Sequence, residues 1–66
     1  MKTPYWQITV EIPRDRYSRG FLDQDKDTAM DVFFKTAKDL CTGQTAYLDQ
    51  VDEMGFIHHE YTVSRG

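Results

Sequence analysis

Strict alternation of apolar and polar residues near the start of the chain is the feature that most limits its fold. From Trp6 to Ile12 every second side chain is apolar and the ones between are polar. Successive side chains of a strand point to opposite faces of a sheet, so the pattern predicts a half-buried β-strand over residues 5–12. Pro13 follows immediately, and because proline has no N–H to donate, the strand is expected to end there.

A second pattern, with apolar residues three and four positions apart, predicts an amphipathic helix over residues 26–41. Asp25 or Asp27 is suited to cap its start, Thr28 offers an alternative, and Gly43 is suited to close its end. The apolar stripe of this helix consists of Met30, Phe33, Phe34, Ala37, Leu40 and Cys41.

Residues 45–63 predict a β-hairpin around the turn at 52–55. Setting Val51 opposite Phe56 gives a register that places Asp49 across from His58 and Tyr47 across from Glu60. A bulge at Gly55 would slip the register by one residue and exchange the two faces.

Residues 13–24 show no sustained period and contain Pro13 and Gly20. This composition predicts a loop, and loops of about a dozen residues are more often functional or mobile.

The expected fold is therefore a single small α+β domain over residues 1–66, with the order β-α-β-β and one helix packed on a three-stranded sheet. The strand order stays open. In the order 1-3-2 the first strand lies at an edge, where its backbone could pair with a partner or form a homodimer.

Composition restricts the class of protein. With 39% hydrophobic and 14% aromatic residues in 66, the chain is too apolar for a disordered segment. A chain this short buries only about 60% of its unfolded surface, which leaves little room for a deep substrate pocket. Its start lacks the apolar segment of a signal peptide, and its single Cys41 cannot form an internal disulfide. A cytoplasmic protein with no membrane partner is the expectation.

The net charge of −3 is unevenly distributed. Residues 1–20 carry four basic against two acidic side chains, whereas residues 21–55 carry three lysines against seven aspartates and one glutamate. An acidic protein is repelled by nucleic acid, so any contact with phosphates would fall to the arginine-rich segment near the start.

That segment contains the candidate binding residues Arg14, Arg16, Tyr17 and Arg19. Arginine and tyrosine are enriched at the energetic centres of protein interfaces. The same residues could also grip phosphates while the ring stacks on a base. The structural alternative is a solvated loop with its tyrosine folded onto the domain.

The predicted sheet face away from the helix collects a second set of candidate binding residues. It is acidic, which suits a basic protein surface better than nucleic acid, and an ordinary solvated sheet face is the alternative. The set consists of Gln7, Thr9, Glu11, Tyr47, Asp49, His58 and Glu60.

No metal, cofactor or catalytic residue is predicted. Adjacent His58 and His59 point to opposite faces of a strand and cannot easily share an ion, and a site of His58, Asp49 and Glu60 lacks further ligands. A calcium loop starting at Asp23 fails because Thr28 and Phe34 occupy the positions that need glycine and glutamate. Cys41 lies near a helix C-terminus, where the dipole disfavours a reactive thiolate.

These observations favour a small, non-enzymatic protein-binding module: an adaptor, regulatory subunit or inhibitor that acts by occupying a surface of another protein. The alternative is a nucleic-acid-binding accessory protein that uses residues 14–19.

Overall fold

The computed structural model describes residues 3–22 and 25–66. Two strands, one helix and two further strands follow each other in the chain. They are β1 (Tyr5–Ile12), β2 (Asp15–Leu22), α1 (Lys26–Lys38), β3 (Gln44–Val51) and β4 (Ile57–Arg65). The α+β class and the first strand predicted from the sequence are confirmed. None of the described helical residues forms a segment long and apolar enough to cross a membrane.

The predicted loop over residues 13–24 is wrong, and the sheet has four strands where three were expected. Pro13 and Arg14 form a two-residue turn, after which β2 returns along β1. β2 carries no alternating pattern because it lies at the edge of the sheet and nearly all of its residues are exposed. Asp23 and Gln24, at the other end of the expected loop, lie outside the described residues. Asp23 is also the residue at which the rejected calcium loop would have started.

All neighbouring strands run antiparallel in the spatial order β2-β1-β3-β4. The order 1-3-2, which the sequence left open and which would have placed the first predicted strand at an edge, is therefore excluded. β1 is interior because β2 forms a hairpin with it on one side and β3 pairs with it on the other. The two edges available for pairing are β2 and β4.

The core lies between α1 and one face of the sheet. β1 and β3 supply the floor, and the helix supplies Phe33, whose side chain is fully buried. The buried cluster consists of Trp6, Ile8, Val10, Ala29, Phe33, Leu40, Ala46 and Leu48. Two members of the predicted stripe, Phe34 and Cys41, are instead exposed.

The helix ends at Lys38, three residues earlier than predicted, and its C-cap is Asp39. Gly43 does not cap it but occupies the turn before β3 with a φ of 88°, a conformation that glycine adopts at no steric cost. Asp25 takes the N-cap position without a capping hydrogen bond from its side chain.

The register of the second hairpin differs from the predicted one. Val51 lies opposite Ile57 instead of Phe56. The pairing then shifts between Leu48 and Asp49, where Glu60 is the extra residue of a β-bulge on β4. The changed turn register and the bulge each move residues of β4 from one face of the sheet to the other. Because β4 is exposed along most of its length, no alternation of apolar and polar residues in its sequence indicates either of them.

Candidate functional site

The strand β2 divides the predicted arginine and tyrosine residues between two faces of the sheet. Tyr17 pairs with Val10 and Arg19 pairs with Ile8, so both side chains stand on the face that carries the helix. Arg16 stands on the opposite face, and Arg14 lies in the turn. The prediction that residues 14–19 act as one loop is therefore wrong, because alternation along a strand separates them.

A groove lies between α1 and β2 on the helix side of the sheet. Ile8 and Val10 of β1 form its floor, and both are almost completely buried. Tyr17 and Arg19 form the outer wall, and Val32 and Thr36 of the helix form the inner wall. The volume is about 170 Å³. A cavity of about 150 Å³ is known to accept a benzene molecule, so the groove has room for one large apolar side chain.

The groove exists because one helix is too narrow to cover four strands. A helix is about 10 Å wide and strands are spaced about 4.8 Å apart, so a helix covers about two strands. Here α1 lies over the two central strands, β1 and β3, and leaves both edge strands largely exposed. Towards β4 the rings of Phe33 and Phe34 lie 6.2 and 5.9 Å from the ring of Tyr61. The strip over β2 is left open, and Tyr17 is 60% exposed.

The guanidinium of Arg19 is held in place at the groove without being neutralised. Its central carbon lies 5.1 Å from the centroid of the Phe21 ring, a cation–π arrangement that fixes a long side chain. Among residues 3–22 and 25–66, no carboxylate lies within ion-pair distance of this guanidinium. Arg16, in contrast, binds Glu11 at 2.9 Å on the other face. Arg19 therefore offers a positive charge to a ligand, whereas the charge of Arg16 is neutralised by its ion pair with Glu11.

On the open face of the sheet, away from the helix, neighbouring side chains form hydrogen bonds with one another. The Nε2 of Gln7 donates to the hydroxyl oxygens of Thr9 and Ser18, each at 3.3 Å, and those two oxygens lie 2.9 Å apart. On the other half of this face the Oδ1 of Asp49 lies 2.7 Å from Nδ1 of His59. Such mutual bonding is typical of a solvated sheet face.

The structure places His59, and not His58, beside Asp49. His59 also lies next to the ring of Tyr47, at 6.2 Å between centroids, and it bonds to Thr62. The predicted pairing of Asp49 with His58 and of Tyr47 with Glu60 is wrong. Val51 pairs with Ile57 instead of Phe56, which puts His58 on the opposite face, and Glu60 lies in the bulge. Tyr47 and Asp49 do share the open face, as predicted.

His58 instead bonds to Asp52 in the turn between β3 and β4, at 2.9 Å. This hydrogen bond is the largest cause of the lowered pKa of Asp52. Desolvation opposes it, and the hydrogen bonds donated by the backbone N–H groups of Phe56 and Met54 lower the pKa further. The aspartate thus holds the turn through three hydrogen bonds to its two carboxylate oxygens.

The described residues bring together no group of three or more His, Cys, Asp or Glu side chains that could hold a metal ion. Cys41 is an exposed free thiol whose backbone N–H donates to the side chain of Gln44.

The sequence indicated two of the groove residues, Tyr17 and Arg19, but missed its inner wall. One signal was present: Val32 is an apolar residue outside the predicted stripe of the helix, and it widens the apolar surface towards β2. Comparisons with protein-family models, with curated proteins and with solved structures gave no match.

Proposed function

We propose that this chain is a small, non-enzymatic protein-binding module that docks a segment of another protein into the groove between α1 and β2. The observation that carries the proposal is an apolar groove with a charged rim. Ile8 and Val10 provide a preformed floor for one side chain, and Arg19 provides an unneutralised cation beside it.

The groove defines the chemistry of the partner segment. Its volume of about 170 Å³ suits a leucine or an aromatic side chain as a single anchor. An Asp or Glu next to the anchor can accept hydrogen bonds from Arg19, whose planar guanidinium matches a carboxylate. Tyr17 adds an exposed ring and a hydroxyl to the same wall, and tyrosine and arginine are residue types enriched among interface hot spots.

Binding by surface occupation also fits the size of the molecule. One helix on a four-stranded sheet has a thin core, and such a scaffold presents surfaces more readily than it encloses a substrate. An adaptor, a regulatory subunit or an inhibitor needs no more than one specific contact of this kind.

Two other surfaces support a function less strongly. The open face with Tyr47 and Asp49 has much of its hydrogen-bonding capacity met by its own neighbours. For the alternative function, nucleic-acid binding, the arginines would need to follow a backbone together, yet Arg16 and Arg19 stand on opposite faces and Arg16 is paired with Glu11.

The experiment starts with selection of binders from a displayed library of random short peptides against the wild-type chain. We expect the selected peptides to share one apolar anchor beside an acidic residue. A synthetic peptide of that sequence is then titrated by calorimetry. Arg19→Glu should weaken binding about 10- to 100-fold because it replaces a charge-assisted hydrogen bond with repulsion. Thr36→Trp should fill the groove and abolish binding.

The control variants carry the same charge reversal and the same added tryptophan at positions outside the groove. Arg16→Glu changes the same charge on the opposite face of β2, and Lys35→Trp adds the same ring at an exposed helix position. Both should leave peptide affinity within about twofold. Peptides that bind the Thr36→Trp variant as well as the wild type would refute the groove. Salt-sensitive binding of a labelled single-stranded oligonucleotide, with no peptide enriched, would favour the nucleic-acid alternative.

A further inference from the structure

The edge strand β2 has a regular, exposed outer side whose backbone can pair with a further strand. All eight of its residues pair with β1 in one unbroken register, and every residue except Phe21 is exposed. The other edge, β4, is interrupted by the bulge at Glu60, and bulges are a common device that protects an edge from further pairing. β2 has no bulge and no proline within the strand.

We propose that β2 pairs antiparallel with β2 of a second copy, so that two four-stranded sheets join into one of eight strands. The pairing uses the outer backbone edge of β2, which the peptide groove does not use, although Tyr17 and Arg19 belong to both surfaces. The dyad is perpendicular to the sheet, so both helices and both grooves lie on the same side.

Geometry limits the possible registers. Residues that face each other across an antiparallel pair must point to the same face of the sheet. The dyad must therefore run midway between the two copies of one residue, which then faces itself across the pair. Within the eight residues of β2, the longest overlap of seven pairs arises only when the dyad passes through Ser18 or through Arg19.

Charge decides between the two registers. A dyad at Arg19 would place its guanidinium directly opposite that of the second copy, which is destabilising. A dyad at Ser18 places Arg19 opposite Tyr17 of the second copy, twice, and places Arg16 opposite Gly20. No like charges then face each other, and Asp15 lies diagonal to Arg19 within reach of its long side chain. This self-complementarity identifies a second copy as the occupant of the edge.

Disulfide trapping tests the register. In a Cys41→Ser background, Ser18→Cys should form a covalent dimer under mild oxidation because identical residues meet only at the dyad. Facing residues have Cβ atoms about 5 Å apart, whereas Tyr17→Cys would place its thiols on a diagonal of about 7 to 8 Å, beyond the reach of a disulfide. Tyr17→Cys, on the same exposed strand, is therefore the matched control.

Equal trapping of the two cysteine variants, or no trapping of either, would overturn the proposal. Sedimentation of the unmodified chain provides the second measurement. We expect a reversible dimer that Tyr17→Arg weakens about tenfold, because it places two arginines opposite two others. Met54→Arg adds the same charge in the remote turn, where the side chain is exposed, and should leave the dimer unchanged. A chain that sediments as a monomer at every concentration would also refute the proposed pairing.

Discussion

Two adjacent phenylalanines of α1 should differ sharply in their contribution to stability. Both belong to the apolar stripe predicted from the sequence, yet Phe33 is completely buried and Phe34 is 49% exposed. Replacing Phe33 by Ala removes a fully buried ring and leaves a cavity, which costs about 3 to 5 kcal/mol. Replacing Phe34 by Ala removes a half-buried ring and its contacts with Phe33 and Tyr61, which costs about 1 to 2 kcal/mol.

Urea denaturation measures this difference, with Trp6 as the probe, since it is the only tryptophan and is buried in the core. A chain of 66 residues is expected to have a free energy of unfolding of about 3 to 10 kcal/mol. With a slope of about 1 kcal/mol per molar urea, Phe34→Ala should lower the midpoint by about 1 to 2 M. Phe33→Ala should lower the midpoint by about 3 to 5 M, which leaves little or no folded protein in buffer when the starting stability is at the low end of that range.

A protecting osmolyte such as trimethylamine N-oxide keeps the Phe33→Ala variant measurable, because it favours the compact state. The expected order is that Phe33→Ala needs far more osmolyte to fold than Phe34→Ala. If the two variants lost similar stability, or if Phe34→Ala lost more, the orientation of α1 that turns Phe33 and not Phe34 towards the sheet would be wrong. The groove would then have no structural basis.

Three further predictions use the same denaturation assay or a simple chemical probe. Because the pKa of Asp52 is lowered, this carboxylate stabilises the fold fully above its ordinary pKa of 3.8, and the stabilisation is lost as the pH falls below that value. Asp52→Asn should therefore flatten the acid side of the plot of stability against pH. An unchanged plot would contradict the hydrogen bonds assigned to this carboxylate. Gly55→Ala should cost about 1 kcal/mol or more because its φ is 89°, whereas Gly20→Ala should be better tolerated, since the added Cβ would make ordinary contact with Tyr5 at 3.6 Å; equal costs would refute this. Cys41 should react with Ellman's reagent in the native protein as fast as after unfolding, and a protected thiol would show that the turn after α1 is packed differently.

The elements that the sequence could predict are those with one buried face. β1 and α1 each bury one side, so their apolar residues recur with the period of a strand or a helix. β2 buries almost nothing on either face, and its residues therefore carry no period. The short turn at Pro13 and Arg14 was the remaining signal, and a two-residue connection is typical of a hairpin.

The candidate site was predictable only in part for the same reason. Tyr17 and Arg19 stood out by residue type, but their separation from Arg16 follows from the strand that the pattern did not reveal. The exchange of His58 for His59 beside Asp49 follows from the turn, which sets Val51 opposite Ile57 instead of Phe56, and the bulge at Glu60 then shifts the pairing of Tyr47 by one further residue. One extra residue in an exposed strand changes which side chains meet, and no apolar pattern records it.

The connectivity of the sheet also determines how the chain must fold. β1 with β2, and β3 with β4, are local hairpins that can close rapidly, whereas the residues that pair between β1 and β3 are 34 to 46 positions apart in the chain. We therefore expect the slow step to be the docking of one hairpin on the other across β1 and β3, with α1 packed over both strands. Substitutions at this central seam should mainly slow folding, and substitutions in β2 or β4 should mainly speed unfolding. We expect this seam to form the folding nucleus and the two outer strands to be the parts that open first.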